Sequence, residues 1–583
     1  MLGASAAIAS LPGSSGYYPV LHAQTMRILL LTHSFNSLAQ RLFAELKARG
    51  HVVSVEFDIS DAVTEEAVAL FRPDLILAPF LKRAIPESVW SRHTCMVVHP
   101  GIEGDRGPSA LDWAIQQGKA SWGVTVLQAE AAMDAGPVWA SETFAMRSAK
   151  KSSIYRNEVT QAAVHAALLA VERCESGRFN PRRVPGQAHA LMRQSDRAID
   201  WQAETTKSIL AKIHAADGFP GVADTLWGEP CHIFDAWPEV ALGGTPGELL
   251  GRRATAVLRA TVDGAVWLGH VKRAGGFKLP TTLAFPEALS LPELPLDGWW
   301  MAPEPTWQDI AYSEMDGVGL LDFAFYNGAM ATGQCERLTQ AFQWATMQPT
   351  KAIVLRGGAD FWSNGIHLNT IEAAASPSDE SWANINAMDD LAEAVLRCET
   401  HLTIAALHGG AGAGGCFLAR AADEVWVRDG VMLNPHYKNM GNLYGSEFWT
   451  YLLPVRVGQV QARAIMQNRL PMSAQESVRV GLYDACLPSE DFSSVVISRA
   501  VALVQAPEFA AQLAVKREQR RADEATKPLA WYRNEELKVM QRNFFGFDAS
   551  YHVARHHFVA RSPHSWTPRH LAIHRDLHWS QTV

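Results

Sequence analysis

The stretch HPGIEGDRGPSALDWAI, His99–Ile115, decides how the N-terminal third of this chain is read. A histidine followed by proline is held in extended backbone, which suits the end of a strand. Gly101, Gly104 and Gly107-Pro108 then form a glycine-rich turn that feeds a helix from about Ser109, with Ser109 the expected N-cap. Such a helix start favours anions, and Arg106 stands where it can clamp a carboxylate. Downstream, GVTVLQAEAAMDAGPVW, Gly123–Trp139, sets Asp134 on a second loop after a strand. Open α/β sheets bind ligands beyond the carboxyl ends of their strands, which is where both loops fall. A histidine oriented by a carboxylate can give or take a proton at neutral pH.

Upstream, RILLLTH from Arg27, an amphipathic run Ser37–Arg49, VVSVEF, a short helix and PDLILAPF alternate strand with helix. That order predicts a doubly wound, Rossmann-like parallel sheet in an α/β multidomain chain. The first crossover lacks G-x-G-x-x-G, so a dinucleotide is not implied. Residues 1–25 are rich in Gly, Ala and Ser and carry no basic n-region, so they read as a disordered extension ahead of Met26 rather than a signal peptide.

These segments resemble the folate-dependent formyltransferases and formyl-folate hydrolases, whose sites carry N-x-H-P and L-D-x-G. Here the patterns read Val97-Val98-His99-Pro100 and Met133-Asp134-Ala135-Gly136. The resemblance implies catalytic roles for His99 and Asp134. The asparagine amide that helps polarise the formyl oxygen is replaced by Val97, so either another donor serves or the chemistry has changed. Lys82 and Arg83 fall where the family meets folate and join Arg106 as expected substrate-binding residues. SDRAIDW from Ser195 and ADGFPGVADTLW resemble the opening of the family's small C-terminal OB-like β-barrel, and ATAVLRATV and AVWLGHVK support an all-β module. The expected divisions are a formyltransferase-like domain at 26–190, the barrel at 191–290 and a Pro-rich linker at 291–309.

From Ile310 to about Glu490 the chain resembles the crotonase, or enoyl-CoA hydratase/isomerase, superfamily. The carrying segments are KAIVLRGGADFWSNGIHLNTI, Lys351–Ile371, and HLTIAALHGGAGAGGCFLARAADEVWV, His401–Val427. The resemblance implies a ββα spiral domain at 310–495 and a thioester oxyanion hole formed by the amides of Ile366 and Gly414. The two hydratase glutamates are absent, because Phe417 and His436 occupy their positions, so ordinary hydration is not expected. Instead NPHYKNMGNLYGSEFWTY, Asn434–Tyr451, offers Tyr437 and Glu447 as an acid/base pair, spaced about three turns apart if the stretch is helical.

The region 496–583 reads as charged helices packing on this second domain, ending in a mobile tail with His564, His570, His574 and His578. His552, His556 and His557 have helical spacing, but no cysteine or second cluster accompanies them and no metal is expected.

At 583 residues several domains are expected, and the net charge of −8 offers no footprint for nucleic acid. Seven scattered cysteines without C-x-x-C fit a reducing cytoplasm, and no apolar run is long enough to predict a membrane span. A formyltransferase half joined to an altered crotonase half resembles a family of nickel–iron hydrogenase maturation proteins. That resemblance implies a relay: formyl passes from 10-formyltetrahydrofolate to coenzyme A, and formyl-CoA yields carbon monoxide, with hydrogenase-maturation proteins as possible partners. The alternatives are an amine formyltransferase fused to an acyl-CoA enzyme, and a non-catalytic folate- or CoA-binding maturation protein.

Overall fold

The computed structural model describes residues 25–576 and Trp579, so almost all of the 1–25 extension, and His578, lie outside the described residues. The first sheet has six strands in the order Val52–Phe57, Arg27–Thr32, Leu75–Phe80, Cys95–His99, Ser121–Gln128, Val138–Ala145. Helices Ser37–Ala48 and Asp61–Phe71 cover the crossovers between the first strands, and Ile28, Leu29 and Leu30 are fully buried. The first four strands pair in parallel, as expected, whereas the last two pair antiparallel. The sheet is therefore mixed rather than wholly parallel. The connection at 129–137 is shorter than the dozen or so residues a parallel crossover needs, which forces that last turn to reverse. His99 is the final residue of the fourth strand, so its side chain emerges at the strand's carboxyl end.

A second sheet is antiparallel, with Leu249–Arg253, Ala256–Ala260, Ala265–Arg273, Glu229–Glu239 and Val222–Leu226 in that order and helix Thr206–Ala216 against it. The Pro-rich segment that follows lies over this sheet. Leu294 donates its amide to Arg252, and the Trp307 ring packs 6.3 Å from that of Trp267.

The third sheet runs Ile310–Met315, Val318–Phe323, Ala352–Gly357, Leu402–Leu407, Glu424–Arg428, Ala485–Leu487. Beyond its central strands lies a smaller sheet of Phe361–Ser363, Gly410–Gly412, Met432–Asn434 and Met472–Ser473. Helices Leu529–Phe545 and Ser550–Ala560 pack on this half, and one apolar core runs from Ile310 to Tyr551. Among the described residues no single helix is long and apolar enough to cross a membrane.

The described part of the C-terminal tail, expected to be mobile, is instead folded back on the first sheet. Val55 donates its amide to the Leu571 carbonyl, and Phe57 to Thr567 Oγ1. Glu56 is fully buried and accepts from Thr567, from His574 Nε2 at 2.9 Å and from Arg575 Nε at 2.7 Å. Two physical demands fix this: Val52–Phe57 is an edge strand that must be covered, and a buried carboxylate must be paired. The other helical histidines serve packing, His552 bonding the Phe544 carbonyl and His556 the Glu372 carboxylate.

Candidate active sites

The first site sits at the end of the Cys95–His99 strand. His99 is buried, its Nε2 2.9 Å from Asp105 Oδ2 and its Nδ1 3.6 Å from Asp134 Oδ1. Asp134 holds a left-handed backbone and accepts the Gly107 amide on Oδ2 at 3.2 Å, which ties the two loops together. His99 and Asp134 are thus brought to one place. Sequence reasoning missed Asp105, which bonds the ring more closely, and His189, whose Nε2 lies 3.1 Å from Asp105 Oδ1. The signal lay in Gly101: a Cβ there would fall 2.4 Å from His99 Nε2 and 2.6 Å from Asp105 Oδ2, so the His–Asp contact requires glycine.

One further expectation about this loop, the Ser109 cap, is corrected. Ser109 adopts φ 64° and makes no side-chain cap; its hydroxyl accepts the Met192 amide instead. Arg106 donates to the Val184 carbonyl at 3.0 Å, so its guanidinium ties down a neighbouring segment. Lys82 and Arg83 are exposed, and Arg83 pairs with Asp61 at the surface.

The second site is built on the turn 445–449. Tyr437 Oη and Glu447 Oε2 are 2.5 Å apart, both buried, and the Tyr437 ring stacks on Phe417 with centroids 5.6 Å apart. The segment between them is not helical, so a spacing of three turns does not apply. Glu447 and Phe448 both take left-handed backbone at φ 57° and 60°, and helix Trp449–Asn468 begins only after them. Two adjacent residues in that region cost on the order of 1–3 kcal/mol each, which the surroundings must offset. They do so through buried carboxylates: Asp389 Oδ1 accepts the Glu447 amide at 2.8 Å and the Ser446 hydroxyl, and Glu536 accepts the amides of Phe448 and Thr450.

Burial, with the nearby Asp389 charge, raises the Glu447 carboxyl to about 8. Burial and the Glu447 charge push the Tyr437 phenol well above its ordinary 10. A protonated Glu447 can donate to Tyr437 Oη, which itself donates to the Ser446 carbonyl at 3.0 Å. His436, at the other lost glutamate position, is buried and held down to about 4, first by burial and then by His570 and Arg469.

Gly414 opens a short helix beside this pair, and Ile366 follows Gly365 across from it. A Cβ on Gly365 would lie 3.4 Å from the Gly414 nitrogen. Neither the Ile366 nor the Gly414 amide is bonded to an acceptor among the described residues. A cavity of about 640 Å³ lies between the two halves, lined by Pro100 and Tyr155 from the first and by Asn364 and Ala411 from the second. It shares Arg156 and Phe361 with a larger space of about 1520 Å³ where the three sheets meet. The Arg156 guanidinium rests 4.5 Å over the Phe361 ring.

The fold and its two sites define a formyltransferase fused to a crotonase-type domain. Residues 28–171 match the formyl transferase family, 191–285 the formyl transferase C-terminal domain, and 326–568 the enoyl-CoA hydratase/isomerase family. The chain is 53% identical over 561 residues to the hydrogenase maturation factor HoxX of Bradyrhizobium diazoefficiens, covering 94% of this chain and 97% of that one. It is 47% identical to the crystal structure of HypX from Aquifex aeolicus in complex with tetrahydrofolic acid, with a TM-score of 0.93 over 95% of this chain and 99% of that one. The N-terminal part is also 26% identical over 226 residues to a methionyl-tRNA formyltransferase of Variovorax paradoxus, covering 37% of this chain and 70% of that protein. The chain belongs to the HypX/HoxX family of hydrogenase maturation factors.

Proposed function

We propose that the protein makes carbon monoxide for the iron centre of a nickel–iron hydrogenase, taking formyl from 10-formyltetrahydrofolate to coenzyme A and then breaking formyl-CoA down. The reading rests on one observation above the others. The hydratase carboxylates are replaced by Phe417 and His436, and a buried Tyr437–Glu447 pair stands beside Gly414 in their stead.

Folate is assigned to the first site because the Aquifex aeolicus relative is described in complex with tetrahydrofolic acid and the His99–Asp134 pattern is shared with formyltransferases. There the thiol sulfur attacks the formyl carbon, the bond from that carbon to N10 of the folate breaks, and the thiol proton passes to N10. His99, held by Asp105 and Asp134, is placed to carry that proton. Lys82 and Arg83, exposed after the third strand, and Arg106 next to Asp105 are the side chains we assign to meet the substrate.

Coenzyme A is the thiol the crotonase half calls for, and a cavity with Arg156 on its wall suits an anionic molecule. In the second site the amides of Ile366 and Gly414 hold the thioester oxygen. The formyl carbon–hydrogen and carbon–sulfur bonds break, the proton moves to sulfur through Glu447 and Tyr437, and carbon monoxide and free thiol leave. No oxidant is needed. Buried Phe417 and Tyr437 keep water from a reactive thioester. Seven unpaired cysteines agree with action in the cytoplasm.

The test is to give the purified protein 10-formyltetrahydrofolate and coenzyme A and follow carbon monoxide by its binding to haemoglobin. Gas dependent on both substrates supports the relay. A formylated amine without gas favours an amine formyltransferase, and binding without turnover favours a maturation protein that has lost catalysis.

A further inference from the structure

Behind the Tyr437–Glu447 pair lies a buried carboxylate with no place in the chemistry described above. Asp389, on helix Pro377–Leu396, is fully buried. Its Oδ1 accepts both the Ser446 hydroxyl and the Glu447 amide, while its Oδ2 is buried with no hydrogen-bond partner. The nearest cation, Arg533 Nε, stands 3.8 Å from Oδ2, and the same guanidinium is divided between Asp390 and Glu393. A carboxylate left half-satisfied in an apolar core is costly, so its retention calls for a reason beyond packing.

Two features of the geometry supply one. The left-handed backbone of Glu447 and Phe448 aims the Glu447 carboxyl at Tyr437 and Gly414, and the amides of these two residues end on Asp389 and Glu536. Asp389 thus fixes where the Glu447 side chain points. Its negative charge, 2.8 Å from the Glu447 amide, also acts on the Glu447 carboxyl in a buried interior, where like charges repel strongly.

We propose that Asp389 is the positioning residue of the second site, holding Glu447 through its backbone amide and opposing a second negative charge beside Gly414. This deepens the proposed decarbonylation and rests on it. The groups facing Glu447 are Tyr437 from its own loop, Asp389 from helix Pro377–Leu396, Glu536 from helix Leu529–Phe545 and the Cys335 thiol from helix Thr332–Ala345. Burial, with the Asp389 charge, holds Glu536 well above its ordinary carboxylate range. Asp389 itself is raised to about 6 by burial, despite the hydrogen bonds from Ser446 and Glu447, and is ionised above that.

The experiment measures carbon monoxide release from formyl-CoA across pH for the wild type, Glu447→Gln, Asp389→Asn and Ser446→Ala. Asparagine keeps an acceptor for the Ser446 hydroxyl and the Glu447 amide but removes the charge. In Asp389→Asn the limb of the kcat profile set by Glu447 is expected to move toward acid by about one pH unit or more, with KM within about twofold. Ser446→Ala removes a donor to Asp389 and is expected to move the limb the same way by less. Infrared difference spectra of the wild type at neutral pH should show a protonated carboxyl band that Glu447→Gln lacks. If Asp389→Asn folds, as judged by its thermal transition, and the limb stays put, the proposal is overturned; if it does not fold, an unmoved limb in Ser446→Ala overturns it. A missing infrared band overturns it as well. Full gas release by Glu447→Gln would instead overturn the reading of the second site.

Discussion

The Glu447 carboxylate lies against the α-carbon of Gly414, so closely that a Cβ on Gly414 would fall 2.2 Å from Glu447 Oε1. The amide assigned to the oxyanion and the carboxyl assigned to the proton are therefore next to each other. Gly414→Ala is expected to displace the carboxyl and cut carbon monoxide release by about 10²-fold or more, leaving formyl removal from folate intact. Gas release and folate product, measured on one sample, check it.

Tyr437→Phe and Glu447→Gln are expected to stop gas release while formyl still leaves folate. His99→Ala and Asp134→Ala are expected to abolish the folate step and leave decarbonylation of supplied formyl-CoA. Losses of about 10²–10⁴-fold are the scale for removing a proton-transfer group. Equal loss of both steps in all four variants would contradict two separate sites.

Asp105→Asn tests the carboxylate that bonds His99 Nε2. The shape of the site is kept and the charge is lost, so the folate step should slow by about tenfold or more with thermal stability little changed. Pre-steady-state formation of tetrahydrofolate checks it. An unchanged rate would assign Asp105 to structure alone.

Stability should depend on pH through Glu447. Its folded pKa, about 8, lies above its ordinary 4.5, so the folded state binds the proton more tightly than the unfolded chain. Stability from this group is complete below about pH 4.5 and is lost as pH rises to about 8. Glu447→Gln cannot ionise, so its advantage in Tm over the wild type should be larger at about pH 8.5 than at about pH 5.5. Thermal unfolding at the two values checks the sign.

His574→Ala removes a buried partner of Glu56 and should cost about 2 kcal/mol, seen as a lower unfolding temperature of the N-terminal half. Arg575 and Thr567 hold the Glu56 carboxyl below its usual range along with His574. The stabilisation is therefore present above the ordinary carboxylate value and fades as pH falls through the lowered one. Differential scanning calorimetry at neutral and mildly acid pH checks both the size and the direction.

Much of this was legible because short patterns fix local backbone. The strand ending at His99, the glycine run before Gly414 and the replacement of two glutamates by Phe417 and His436 could all be read from residue types and spacing. Asp105 could not, because its role depends on a turn that folds it back on His99, and glycines in a loop do not say which side chain they make room for. The tail was misread for a similar reason: His574 and Arg575 look like loose polar residues until the buried Glu56 they pair with is known.

By itself the sequence determined that a formyltransferase fold and a crotonase-type fold share one polypeptide, since strand, turn and glycine signals are local and survive without knowledge of what packs on them. Only the tertiary structure decided the working geometry. The left-handed turn at Glu447 is held by carboxylates 58 and 89 residues away from it in Asp389 and Glu536, the cavity between the halves is lined by residues of both halves, and the segment Thr567–Arg575 closes on the first sheet. Contacts between distant segments depend on how whole domains pack, and no local pattern carries that information.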